Sequence, residues 1–195
     1  SDVCSSDLQG LMSRLDCNRI AGAAGSVDVI VIGAGQSGLA MSRFLSARSI
    51  EHVVLERGEV ANSWRTERWD SLKTLTPNWQ ASLPGYAYAG ANPDAYMSMP
   101  EVVDFVSGYA EFIRAPVETG VAVRCVTRID GGYRVVTNRG QWIAQAVVIA
   151  SGAFNLASVP RIADHIPLDI HQVTARDYRN PDQLPEGGGL RSEEH

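Results

Sequence analysis

The chain has 195 residues, a net charge of −5 and a near-neutral mean hydropathy of −0.09, with 45% hydrophobic and 20% charged residues. Such a length holds one good-sized core. The acidic balance argues against a sequence-independent nucleic-acid partner, and no apolar run approaches the roughly 20 residues that span a bilayer.

The two ends, "SDVCSSDL" and "RSEEH", read as translated sequencing-adapter DNA rather than protein. One coding of Arg-Ser-Glu-Glu-His, AGA TCG GAA GAG CAC, has a reverse complement that in a shifted frame gives Cys-Ser-Ser-Asp-Leu, and with further bases in front Val-Cys-Ser-Ser-Asp-Leu. Residues 1–8 and 191–195 are therefore set apart from the fold. Residues 9–26 are small and mixed and predict a loose leader. No basic segment followed by an apolar one marks a secretory signal.

"VDVIVIG", residues 27–33, is short and almost wholly apolar, as a strand buried on both faces of a parallel sheet must be. "QSGLAMSRFLSARS" follows with helical spacing at Leu39, Phe44 and Leu45, and "HVVLE" gives a second strand over residues 52–56. Strand, turn, helix, strand is one βαβ unit. Residues 64–90 have no clean period and predict a long ordered loop with one short helix, held by Trp64, Trp69 and Trp79. Ser98 and Glu101 form a capping-box signature. The helix behind it turns one apolar face through Val102, Phe105, Val106, Tyr109 and Ile113. Three strand-like runs over residues 120–151, separated by "DGG" and "NRG", predict an antiparallel meander. After Pro160 the chain is polar and rich in turns.

Gly33-Ala-Gly35-Gln36-Ser37-Gly38 fits the G-x-G-x-x-G pattern, and each glycine has its own reason. Gly33 permits the tight turn off the strand, Gly35 lets backbone approach a pyrophosphate, and Gly38 lets helix and strand pack closely. The helix N-terminus offers N–H groups and a positive dipole end to phosphate. Glu56 ends the second strand, where a carboxylate accepts from a ribose 2′-hydroxyl and disfavours a 2′-phosphate. The pattern predicts an adenine dinucleotide, FAD or NAD rather than NADP, at this first site.

Four stretches, "GAGQSGLA", "VVLERG", "NSWRTERWDSLKTLTPNWQASLPG" and "VVIASGAFNLASVP", together resemble the flavin-containing monooxygenases and Baeyer–Villiger-like flavoproteins. The resemblance covers nearly all of residues 27–188. It implies an α/β, Rossmann-like FAD-binding domain, a parallel sheet with an inserted antiparallel meander in a three-layer ββα arrangement, over residues 27–165. It also implies FAD on Gly33, Gly35, Gln36, Ser37, Gly38 and Glu56, with Arg57 beside the adenosine half. Trp64 and Arg65 would run beside the flavin, and Ser151 and Gly152 would pass close to the cofactor. Residues 166–190 would be a linker toward an NADPH-binding domain carried by a longer parent. The parent is then expected to be an NAD(P)H-dependent oxidoreductase of monooxygenase type acting on a small organic substrate, and this piece alone to be inactive. Two positions depart from the family: Leu75 stands where an Asn is common, and Thr174-Ala175 stand where His-Ser is usual. His171 reads as a loop histidine.

Other readings share the fold. A non-catalytic dinucleotide-binding regulatory module of the ion-transport-associated type would keep the same loop. A pyridine-nucleotide disulfide reductase needs a redox-active cysteine pair. Cys4, Cys17 and Cys125 form no C-x-x-C, so neither that pair, nor a disulfide framework, nor a metal site is expected, and the setting is expected to be cytoplasmic. A plain NAD dehydrogenase would continue with a helix where residues 64–85 stand.

Overall fold

The computed structural model describes residues 22–153, 157–167 and 169–187. Both adapter-like ends, residues 9–21 of the expected leader and residues 188–190 of the expected linker lie outside them. The architecture is a six-stranded mixed sheet with helices packed on it. Strand β1 (Ala23–Ile32) sits at its centre, paired in parallel with β2 (His52–Leu55) on one side and β8 (Gly140–Ile149) on the other. The short β5 (Val117–Glu118) extends the parallel half beyond β2. Strands β6 (Val123–Ile129) and β7 (Gly132–Thr137) run antiparallel into β8, giving the order β5-β2-β1-β8-β7-β6. The meander and the parallel half share β8, so the sheet is continuous across both.

Alternation along β1 divides the core. Val29 and Val31 face the helical side, while Ile30 faces the opposite one with Val53, Leu55, Val121, Val135 and Ala144. Such period-2 placement follows from the pleat. On the helical side, α1 (Gln36–Ser46) contributes Leu39 and Leu45. Helix α3 (Met99–Phe112) contributes Met99, Val102, Val103, Val106 and Tyr109. The capping box at its start is present as expected, with Ser98 N–H donating to Glu101 Oε2 at 2.8 Å.

One boundary needs correction. Residues 23–26 of the expected leader belong to β1, where Ala23 pairs with Gln141 and Ser26 with Ile143. "AAGS" has no strand propensity of its own; the pairing edge of the long β8 recruits it. Gly25 makes room, since a Cβ there would lie 2.6 Å from the Trp142 ring.

The long loop carries the short helix α2 (Asn62–Thr66) and a small hairpin, β3 (Ser82–Leu83) with β4 (Tyr86–Ala87). Residues 74, 78 and 79 donate backbone N–H groups to the carbonyls of 97, 95 and 93, so residues 92–98 hold this loop in order. No helix among the described residues is long and apolar enough to cross a membrane.

Candidate functional site

The glycine turn connects the end of β1 to α1, and each glycine's surroundings differ as its chemistry demands. Gly33 has φ +106°, a value that favours glycine, and a Cβ on it would strike the Ala150 carbonyl at 2.5 Å. A Cβ on Gly38 would lie 1.9 Å from the Gly33 carbonyl oxygen, so helix and turn touch directly. Gly35 faces open space, with no atom within 4 Å of an added Cβ. The cradle is thus unplugged at the one position where a ligand's backbone approach requires it.

Two groups brace the turn through Ala34, which is fully buried. The Ala34 N–H donates to Glu56 Oε2 at 2.8 Å, and the Ala34 carbonyl accepts from the Ala61 N–H at 3.1 Å. Glu56 is 7% exposed; its Oε1 accepts from the Gly58 N–H at 3.0 Å. Each carboxylate oxygen has a second lone pair for a ligand hydroxyl. Helix α1 begins behind Gly35 with no side-chain cap and no acid in its first turn. Its first N–H groups therefore have no partner within the helix, and its positive end carries no competing carboxylate. Gln36 and Ser37 are exposed at that end.

The structure places the other expected site residues unequally. Ala150 and Ser151 pack against Gly33, and Gly152 follows with φ +83°. Arg57 leaves β2 beside Glu56 and pairs with Glu67. Trp64 is half-buried against the helical core, with the Arg68 guanidinium 5.3 Å from its ring centre. Arg65 turns elsewhere: its guanidinium donates to the Val60 carbonyl at 3.0 Å and to Ser107 Oγ on α3 at 3.2 Å. That arrangement makes Arg65 a brace between α2 and α3. Leu75 is 94% exposed, and His171 is exposed as well.

Sequence reasoning passed over Glu67, Asp70, Arg176 and Arg179. Glu67 is 8% exposed and receives Arg57, Ser63 Oγ at 2.9 Å and Arg176 at 3.9 Å. Arg179 reaches the Thr66 carbonyl, its own carbonyl accepts from the Asp70 N–H at 2.8 Å, and Asn180 donates to Asp70 at 2.7 Å. These contacts lay residues 174–183 along the segment that follows α2. "WRTERWD" reads as a solvated charged turn, and nothing local announces partners more than 100 residues away.

A buried strand, a glycine turn, an uncapped helix start and an acid from the neighbouring strand define a Rossmann-like domain of the dinucleotide-binding type. The family described as pyridine nucleotide-disulphide oxidoreductase matches residues 30–184, and the chain belongs to it. Within that family the expected likeness to flavin-containing monooxygenases is borne out. The chain is 36% identical to an uncharacterized CzcO-like oxidoreductase of Geobacillus kaustophilus over 84% of this chain and 47% of that protein. A flavin monooxygenase of Stenotrophomonas maltophilia, solved as a double mutant, superposes with a TM-score of 0.65 at 34% identity, over 70% of this chain and 41% of that one. The bacillithiol disulfide reductase of Bacillus cereus shares the fold, with a TM-score of 0.61 at 21% identity over 70% of this chain and 44% of its own. The chain spans about half the length of the curated relatives it matches.

Proposed function

We propose that this chain is the FAD-binding portion of an NAD(P)H-dependent flavoprotein oxidoreductase of monooxygenase type. The observation that carries the reading is the open face of Gly35 beside a glycine turn pinned by Glu56. The donor set fits the ligand: unpartnered N–H groups at the start of α1 suit a pyrophosphate, and the remaining lone pairs of Glu56 suit ribose hydroxyls. FAD, when bound, supplies the redox chemistry, and the protein supplies binding, orientation and electrostatics. The roles of this chain's residues are then specific. Gly33 and Gly38 shape the turn, Gly35 keeps it clear, Ala34 and Glu56 hold it rigid, and Ala150 and Ser151 close its far side.

The flavin assignment, over a plain nicotinamide one, is supported by the 34% identity to a flavin monooxygenase and by the ordered segment 64–90 where a simple doubly wound domain would continue with a helix. Hydride supply from NAD(P)H and the oxidation of a small organic substrate belong, in this reading, to the longer parent. Within this chain no C-x-x-C pair is present for disulfide reduction.

The test is a flavin titration. Wild-type chain is expected to quench the fluorescence of added FAD and to show a perturbed flavin absorbance band. Gly35→Val is expected to abolish both while leaving circular dichroism and thermal unfolding unchanged, because the new side chain enters open space. Equal FAD binding by Gly35→Val rules out this cradle as the site.

A further inference from the structure

A cavity of about 370 Å³ lies between the β3–β4 hairpin and the first turns of α3, large enough for a small organic ligand. Tyr86 and Tyr88 line it from the hairpin side, Met97 from the segment before the helix, and Phe105 from α3. The charged residues that line it are both acids, Glu101 and Asp104, neighbours one turn apart on α3. It shares no residue with the glycine turn.

The aromatic wall is fixed by contacts of its own. Leu83 pairs with Tyr86 across the hairpin, and the Tyr88 N–H donates to the Ala81 carbonyl at 3.0 Å. The Tyr86 ring packs on Phe105, Tyr109 and Phe112, with centroids 5.2, 5.6 and 5.4 Å away. Gly108 makes room for it, since a Cβ there would lie 2.7 Å from the Tyr86 hydroxyl oxygen. The Tyr109 hydroxyl donates to the Pro84 carbonyl at 3.3 Å and ties the hairpin turn to α3. Met97 is buried, and its N–H donates to Thr74 Oγ1 at 3.0 Å. Walls set in advance lower the ordering cost of binding.

The two acids are left with capacity. Glu101 Oε2 accepts from the Ser98 hydroxyl and N–H, which hold this carboxyl in its charged form. Asp104 is exposed and has no hydrogen bond or ion pair among the described residues. Lys73 acts on Glu101 through its charge but does not line the cavity. We propose that this cavity binds an organic cation, a quaternary or protonated ammonium group on a small apolar body, held by the aromatic rings and balanced by Asp104 and Glu101. The negative faces of aromatic rings attract a cation, most strongly where water is partly excluded. A neutral apolar ligand would gain nothing from the carboxylates and would have to desolvate them. An anion would be repelled by both.

The experiment titrates the full 195-residue chain by calorimetry with choline, and with its uncharged isostere in which a tert-butyl group replaces trimethylammonium. Choline is expected to bind saturably and about tenfold more tightly than the isostere. Asp104→Asn removes the charge of an exposed side chain without partners. It is expected to leave thermal unfolding unchanged and to weaken choline about fivefold, with the isostere unaffected. Tyr88→Leu keeps an apolar wall without a ring, and is expected to narrow the preference for choline over the isostere. Choline that shows no saturable binding overturns the proposal. Equal affinity for the two compounds does so too, since the cavity is then only an apolar groove, as does choline affinity unchanged by Asp104→Asn. Failure of the chain to bind FAD would overturn the functional reading above and leave this site standing.

Discussion

The βαβ unit of residues 27–56 and the segment 57–70 with its arm 174–183 are joined where the Ala61 N–H meets the Ala34 carbonyl, yet they are specified in different ways. In the first, short-range rules do the work. An apolar run makes a buried strand, glycines make a turn, and the next strand delivers an acid within hydrogen-bonding distance of the turn. In the second, long side chains meet across the fold, Arg57 on Glu67, Arg176 on Glu67 and Arg179 on Thr66. The lesson is that a ligand cradle built from backbone is written locally, whereas the charged frame around it is written in tertiary contacts.

The largest expected effect breaks the local half. In Gly38→Ala the new Cβ would sit 1.9 Å from the Gly33 carbonyl oxygen. Neither partner is a flexible side chain, so the turn and α1 must separate. Overpacking against backbone of this kind is expected to cost about 3 kcal/mol, read as a lower urea midpoint, and to abolish FAD quenching. The contrast with Gly35→Val is the informative part: one glycine is needed for the fold and the other for the ligand. Equal stability of Gly38→Ala and wild type would remove the close-packed turn from the account.

The same division explains what the sequence made legible. The glycine turn, Glu56, the capping box at Ser98 and the meander all follow from periodicity or from residues within a few positions of one another, and the structure has each of them. The start of β1 at Ala23 did not follow, because "AAGS" becomes strand only against β8. Arg65 stands next to Trp64 in sequence, and its guanidinium meets Ser107 on α3, a partner that adjacency does not announce. Glu67 was invisible for the converse reason. A carboxylate between two basic residues and a tryptophan looks solvated until Arg57 and Arg176 close over it.

A smaller effect tests the junction of the two halves. Ala61 is 2% exposed and has φ +62° and ψ +28°, left-handed backbone that costs a residue with a Cβ about 1 kcal/mol. Its N–H holds the Ala34 carbonyl, so the strain sits where the charged segment is pinned to the glycine turn. Ala61→Gly relieves the strain and adds freedom to the unfolded chain, and the net expectation is a gain of roughly 0.5 kcal/mol. Calorimetry should show a small rise in melting temperature with FAD affinity unchanged or slightly improved. A fall in melting temperature would mean that the buried Ala61 methyl contributes more by packing than the backbone loses by strain.

The smallest effect lies outside both halves and checks that a locally written signal carries its energy locally. Glu101 Oε2 accepts from Ser98 Oγ at 2.7 Å and from the Ser98 N–H at 2.8 Å. The side-chain hydrogen bond, then the backbone one, with help from the Lys73 charge, holds this carboxyl below the ordinary range. A folded-state pKa lowered in this way contributes stability that is present above the unfolded value of about 4.3. That contribution is lost as pH falls through the lower folded value. Glu101→Gln removes the titration, so the variant should be less stable than wild type at pH 7 and indistinguishable from it once the wild-type carboxyl is protonated. The side chain is fully exposed, so added salt should reduce the Lys73 part of the difference. A gap between variant and wild type that persists in acid would show that shape, rather than the carboxylate charge, makes the cap.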